Sequence, residues 1–137
     1  MDNAPTVSLG YVILYVEDVE ASLGFYERAF GLQRRFFHDE DGKAYGELET
    51  GATRLSFASL GLVAGHFSPE PRISKAGEAP LGFEIALTTP DVQALYDQAV
   101  AAGATPQSPP ATKPWGQIVA YVRDNRGFIV ELCTPMP

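Results

Sequence analysis

Cysteine and histidine are scarce in this chain, and each scarcity excludes something. The one cysteine, Cys133, rules out an intrachain disulfide. It stands in an apolar run that reads as a strand, where a buried, unreactive thiol is the expectation. The two histidines, His38 and His66, stand at the end of a strand-like run and in a linker, and they offer little of the imidazole that holds and tunes zinc or iron. Positive charge is also short: ten Lys and Arg face seventeen Asp and Glu, a formal net charge of −7. Nucleic acids and anionic membranes demand clustered cations, so neither is an expected partner. No apolar run approaches the ~20 residues of a membrane span. The first ten residues lack a basic segment followed by an apolar one, so no signal peptide is read there and a cytoplasmic location is expected.

What the chain does contain is a repeat. Tyr11–Gly31, YVILYVEDVEASLGFYERAFG, has a second copy beginning at Phe83, with Asp91 standing for Asp18 at an offset of 73 residues (91 − 18). In each copy an apolar run leads into Asp-Val, then into a segment of helical period, then to a glycine, Gly31 or Gly103. Ser8–Val16 reads as a strand apolar enough for both faces to be covered, with Tyr11, Ile13 and Tyr15 on one of them. Asp18 is the expected cap of a helix whose Val19, Leu23, Tyr26 and Phe30 form one buried stripe, closed by Gly31 in the left-handed conformation.

Three short strands follow, separated by turns at Asp39–Gly42 and Gly51. In the second copy Thr89-Pro90 is expected to open the helix, carrying Val92, Leu95, Tyr96 and Ala99 inward. The proline-rich ATPQSPPATKP fits only an edge strand or a loop. Gln117–Arg123, a turn at Asp124–Gly127 and FIVELCT complete the copy. The fold class is therefore α+β, with two βαβββ modules at about 7–60 and 82–135. A Gly-, Pro- and Ser-rich linker of about 61–81 joins them, either as a simple connection or as a cover over a site, and it carries His66 and Phe67.

The segments VEDVEASLGFYERAFGL and WGQIVAYVRDNRGFIVEL carry a resemblance to the vicinal oxygen chelate superfamily, which includes glyoxalase I, extradiol dioxygenases and bleomycin-resistance proteins. The resemblance implies two modules curled around a ligand cavity and chains that pair as homodimers. It also implies metal-ligand positions on the first and last strands of each module. Those positions are Tyr11, Glu84 and Glu131, with Ser56 or Leu55 as the fourth. Only Glu131 matches the ligands usual in the family, because Tyr11 and Glu84 stand where histidine is common. Two carboxylates and two hydroxyls suit at most a hard ion such as Mg²⁺ or Mn²⁺, so no cofactor is expected.

Two carboxylates facing one apolar cavity each need a partner or a proton, and Arg54, Lys113 and Arg123 are the candidate partners. The expected ligand-binding residues are Tyr11, Phe57, Glu84, Trp115 and Glu131, with Tyr15 and Tyr121 adding aromatic wall. These point to a protein that binds or sequesters a small organic molecule without a metal. Two alternatives stand beside it. One is a metal-dependent lyase, isomerase or dioxygenase of the glyoxalase type, with Glu131 as ligand or base. The other is a non-catalytic structural or regulatory dimer.

Overall fold

The computed structural model describes residues 4–137. Among the described residues eight strands form two four-stranded mixed sheets, accompanied by two α-helices. The first contains β1 (Tyr11–Tyr15), β2 (Arg34–Glu40), β3 (Lys43–Leu48) and β4 (Arg54–Ala58), in the order β1-β4-β3-β2. The second contains β5 (Glu84–Thr88), β6 (Thr105–Thr112), β7 (Ile118–Arg123) and β8 (Ile129–Cys133), in the order β5-β8-β7-β6. In each module the first strand runs parallel to the last, and the hairpin-linked strands are antiparallel. The proline-rich strand β6 is at a sheet edge, where a missing N–H costs least, and its register slips around Pro106 and Ser108. The two sheets do not join into one closed barrel. Among the described residues no helix is long and apolar enough to cross a membrane.

Helix α1 (Val19–Phe30) starts where the Asp18 carboxylate accepts the Ala21 N–H at 3.0 Å, and it ends at Gly31 with φ 69°. Its buried set includes the expected Val19, Leu23, Tyr26 and Phe30, together with Ser22, Phe25 and Ala29. The stripe is wider than expected because α1 packs on its own sheet and also against α2 (Val92–Ala101). At the centre the Tyr26 ring lies 5.1 Å from the rings of both Phe30 and Phe57. The start of α2 corrects the Thr89-Pro90 expectation. Asp91 is the cap, accepting from the Ala94 N–H at 3.0 Å, while the Thr89 hydroxyl accepts from the Asp91 N–H. Asp91 therefore does what Asp18 does, and Pro90 lies outside the helix.

Strand β1 brings a second correction. It begins at Tyr11 rather than Ser8, and only one of its faces is covered. Leu14 and Val16 are buried toward the helices, whereas Tyr11 and Ile13 are 57% and 42% exposed. The helices lie on one side of each sheet, so alternate residues of β1 remain uncovered.

Between β4 and β5 the linker forms a single 3-10 turn at Leu60–Val63 and then runs without regular structure. It is pinned at its far end: the Ser74 hydroxyl donates to the Arg126 carbonyl, and the Arg123 guanidinium donates to the Glu78 carbonyl. Near its start Phe67 packs edge-on against Tyr15, with ring centroids 6.3 Å apart.

Candidate functional site

Strand register decides which side chains share the uncovered face of each sheet. In the second sheet Glu84 pairs with Ile129, Ala86 with Glu131, and Glu131 in turn with Tyr121. Glu84 and Glu131 are thus diagonal neighbours on one face, with Tyr121 directly across from Glu131. The Tyr121 hydroxyl donates to Oε1 of Glu131 at 3.1 Å. The two carboxyl groups are near enough for each to shift the titration of the other. A shallow recess of about 330 Å³ opens beside them, lined by Pro80, Glu84, Gln107, Ser108, Tyr121 and Ile129.

The electrostatics of the pair are unequal. Partial burial, then the hydrogen bond and charge of Glu131, push Glu84 above the usual carboxylate range. Burial would push Glu131 up as well, but hydrogen bonds from Cys133, Glu84 and Tyr121 and the charge of Lys113 hold it below that range. Burial and the adjacent carboxylates raise Tyr121 to about 12 and Cys133 to about 11, so both stay protonated at neutral pH. Of the two, Glu84 therefore keeps its proton to higher pH and Glu131 ionises first.

Of the three cations expected to partner the glutamates, only Lys113 acts on the pair. Arg54 is ion-paired with Glu49 at 2.9 Å and also donates to the Gly51 carbonyl. Arg123 is taken up by the carbonyls of Gly127 and Glu78. Sequence proximity to the strands was a poor guide because each guanidinium found backbone oxygens nearer its own turn.

The other expected site residues are scattered. Tyr11 is on the uncovered face of the first sheet, level with Arg54. Phe57 is a correction: it is fully buried on the helix side against Tyr26, so it is core and lines no cavity. Trp115 lies in the turn between β6 and β7, 55% exposed, with its indole N–H donated to Gln117 at 2.8 Å. It does not line the recess that holds Glu84 and Tyr121. His38 is exposed beside Glu40, and His66 is exposed with Nδ1 at 2.9 Å from the Val63 carbonyl. Neither reaches the glutamates.

The first sheet presents a counterpart that the sequence reading missed. Register places Ser56 opposite Ile13, as Glu131 is opposite Ala86, and Ser56 in turn faces Glu47. This selects Ser56 over Leu55 as the fourth ligand position. Glu47 is buried, accepts the Tyr45 hydroxyl at 2.8 Å and is ion-paired with Arg35 at 3.3 Å. The alternation in AYGELET, which places Tyr45 and Glu47 on one face, was the available signal.

The groups acting on Glu84 and Glu131 all belong to the second module, and those acting on Tyr45 all belong to the first. A further recess of about 310 Å³ lies between Val12 and Leu55 on one side and Phe83, Ile85 and Leu87 on the other. The polar groups on its first-module side are satisfied internally: Thr50 donates to the Thr53 carbonyl, Thr53 to the Leu9 carbonyl, and Arg54 pairs as above. Glu84 also lines this recess, which therefore adjoins the glutamate face.

The chain matches the Glyoxalase/Bleomycin resistance protein/Dioxygenase superfamily over residues 8–132. It belongs to that superfamily. Among solved structures it is similar to a glyoxalase-related enzyme from Fulvimarina pelagi, with TM-score 0.75 and 22% identity over 93% of this chain and 88% of that one. It is also similar to TioX from Micromonospora sp. ML1, with TM-score 0.68 and 23% identity over 93% and 98% of the two chains. A superfamily member from Sphaerobacter thermophilus gives 0.73 and 20%, over 95% and 98%. At these identities the likeness is one of fold. No functionally curated protein matches the chain.

Metal-dependent relatives in this superfamily would use the positions of Tyr11, Ser56, Glu84 and Glu131, and the side chains present do not fit a zinc or iron ion. Two are hydroxyls, one of them the fully buried Ser56, which lies 3.1 Å from the Tyr45 hydroxyl. The other two are carboxyls, which supply oxygen and no imidazole nitrogen. Among the described residues no three His, Cys, Asp or Glu side chains are grouped as a metal ion requires.

Proposed function

We propose that this protein binds a small organic molecule on the glutamate face of its second module, without a resident metal. The observation that carries this reading is the arrangement around Glu131: a carboxylate oriented by the Tyr121 hydroxyl, beside a carboxyl group on Glu84, with no guanidinium paired to either. Such a pair accepts hydrogen bonds and attracts positive charge, and it repels a carboxylate. The ligand class is therefore cationic or hydrogen-bond-donating organic molecules, with Ile129 and Tyr121 supplying apolar and aromatic contact. The exposed Tyr11 and Ile13 supplement the reading. Two such chains pair as a homodimer, so that the uncovered faces are protected from water and Tyr11 contributes to a ligand's surroundings.

Calorimetric titration with benzylammonium and benzoate tests this. Benzylammonium is expected to bind and benzoate to fail. Glu131→Gln should weaken benzylammonium binding by about 1.5–3 kcal/mol, as for a hydrogen bond to a charged group. Preference for benzoate, or stoichiometric zinc, nickel or iron in the protein as purified, overturns the proposal.

A further inference from the structure

The turn Asp124–Gly127 between β7 and β8 gathers contacts from the whole chain. Asp124 is 3% exposed. Its Oδ1 accepts the backbone N–H groups of Arg126 at 2.8 Å and Phe128 at 3.0 Å, which shapes the turn. Its Oδ2 accepts the hydroxyl of Tyr26 at 2.6 Å, a bond that crosses from module one to module two. On the outside of the same turn the Arg126 carbonyl accepts the Ser74 hydroxyl at 2.8 Å, and the Arg126 guanidinium is 3.5 Å from Glu17. Gly127 is pressed against the linker so closely that a Cβ there would lie 2.8 Å from the Lys75 carbonyl oxygen.

This arrangement has no counterpart in the other half of the molecule. The repeat offset that relates Asp18 to Asp91 takes Tyr26 to Ala99, which has no hydroxyl. Glu49, seven residues before Ser56 as Asp124 is seven before Glu131, pairs with Arg35 and Arg54 of its own module. Both strands that carry the glutamates also begin here: Phe83, just before Glu84, packs its ring 5.7 Å from Phe128, just before β8.

We propose that the Tyr26–Asp124 bond is a latch between the modules, and that through the turn it also holds the linker in place. Tyr26 and Asp124 are positioning residues. The hydroxyl of Tyr26 occupies Oδ2, leaving Oδ1 to fix the two amides of the turn; the turn then presents the Arg126 carbonyl to Ser74 and leaves room at Gly127 for Lys75. If the latch is opened, the linker loses its anchor although Tyr26 itself lies on α1. The proton on Tyr26 is needed, and burial, which pushes Tyr26 well above its ordinary value, keeps that proton in place.

Hydrogen–deuterium exchange on the full chain tests the latch. In Tyr26→Phe the amides of Arg126 and Phe128, and that of Glu78, which donates to the Lys75 carbonyl, should exchange about tenfold or more faster, the factor expected for loss of a charge-assisted bond. Amides of the β2–β3 hairpin should be unchanged. Asp124→Asn keeps an acceptor for the turn and an amide that can face the Tyr26 oxygen, so its linker should remain more protected than that of Tyr26→Phe. Tyr96→Phe, on α2, should move none of these amides. A Glu78 amide unaffected in Tyr26→Phe overturns the proposal. Uniform acceleration across all protected amides also overturns it, because the bond would then serve global stability alone.

Discussion

Tyr121 donates its hydroxyl proton to Glu131, and at the matching place in the first module the roles are transposed. There the carboxylate is Glu47, on the strand that corresponds to that of Tyr121, and the residue matching Glu131 is Ser56. Both faces carry a tyrosine–carboxylate pair, but the carboxylate of the first is ion-paired with Arg35, while that of the second lies beside a second carboxyl group, Glu84. The superfamily's repeated architecture thus presents two chemically different surfaces.

Removing the Tyr121 hydroxyl should release Glu131 without disturbing the sheet. Tyr121→Phe is expected to lower the unfolding free energy by about 0.5–1.5 kcal/mol in urea denaturation, the net value of one hydrogen bond. Glu131 should then titrate at higher pH, because one of the bonds that favours its charged form is gone. Carboxyl-carbon NMR reads that shift, and an unmoved Glu131 would mean the bond is not formed in solution.

The pair also sets a pH dependence. Glu84, raised in the folded state, contributes stability that is present below the ordinary carboxylate range and lost as pH rises through its raised value. Glu131, lowered, contributes stability that is present above the ordinary range and lost as pH falls through its lowered value. Between those values the pair holds one proton. Glu84→Gln keeps a donor beside Glu131 and removes the like charge. Its melting temperature should therefore exceed that of the unmodified protein near pH 8, with the gap closing toward about pH 4. A gap independent of pH would show that the two carboxyls do not interact.

Helix packing gives a prediction free of charge. A Cβ added at Gly46 on β3 would lie 2.4 Å from Cδ1 of Leu23, which is fully buried on α1. Gly46→Ala should cost about 1–3 kcal/mol by overpacking, and Leu23→Ala about 2–5 kcal/mol by leaving a cavity. The double variant should cost less than the sum, since each change relieves the other. Simple additivity in chemical denaturation would place the two side chains out of contact.

Assembly can be checked directly. Tyr11 and Ile13 remain half exposed on the uncovered face of β1, and β1 and β5 each leave one strand edge unpaired within their sheets. Multi-angle light scattering at micromolar concentration should give the mass of two chains, and an Ile13→Glu variant should shift the protein toward one. A monomer in the unmodified protein would count against pairing.

Much of this was written locally. The repeat, the caps at Asp18 and Asp91, the closing Gly31 and the edge position of the proline-rich strand all follow from short-range rules, in which a residue's neighbours in sequence are its neighbours in space. Tertiary structure decided what depends on register and on which face a helix covers. It buried Phe57 and left Tyr11 exposed, although both alternate in apolar strands, because both helices pack on the same side of their sheets. It brought Tyr26 to Asp124 across 98 residues, and it chose Lys113 over two arginines as the cation near Glu131. Alternation along a strand assigns side chains to two faces; only the packing of distant segments determines which face becomes core and which is left uncovered.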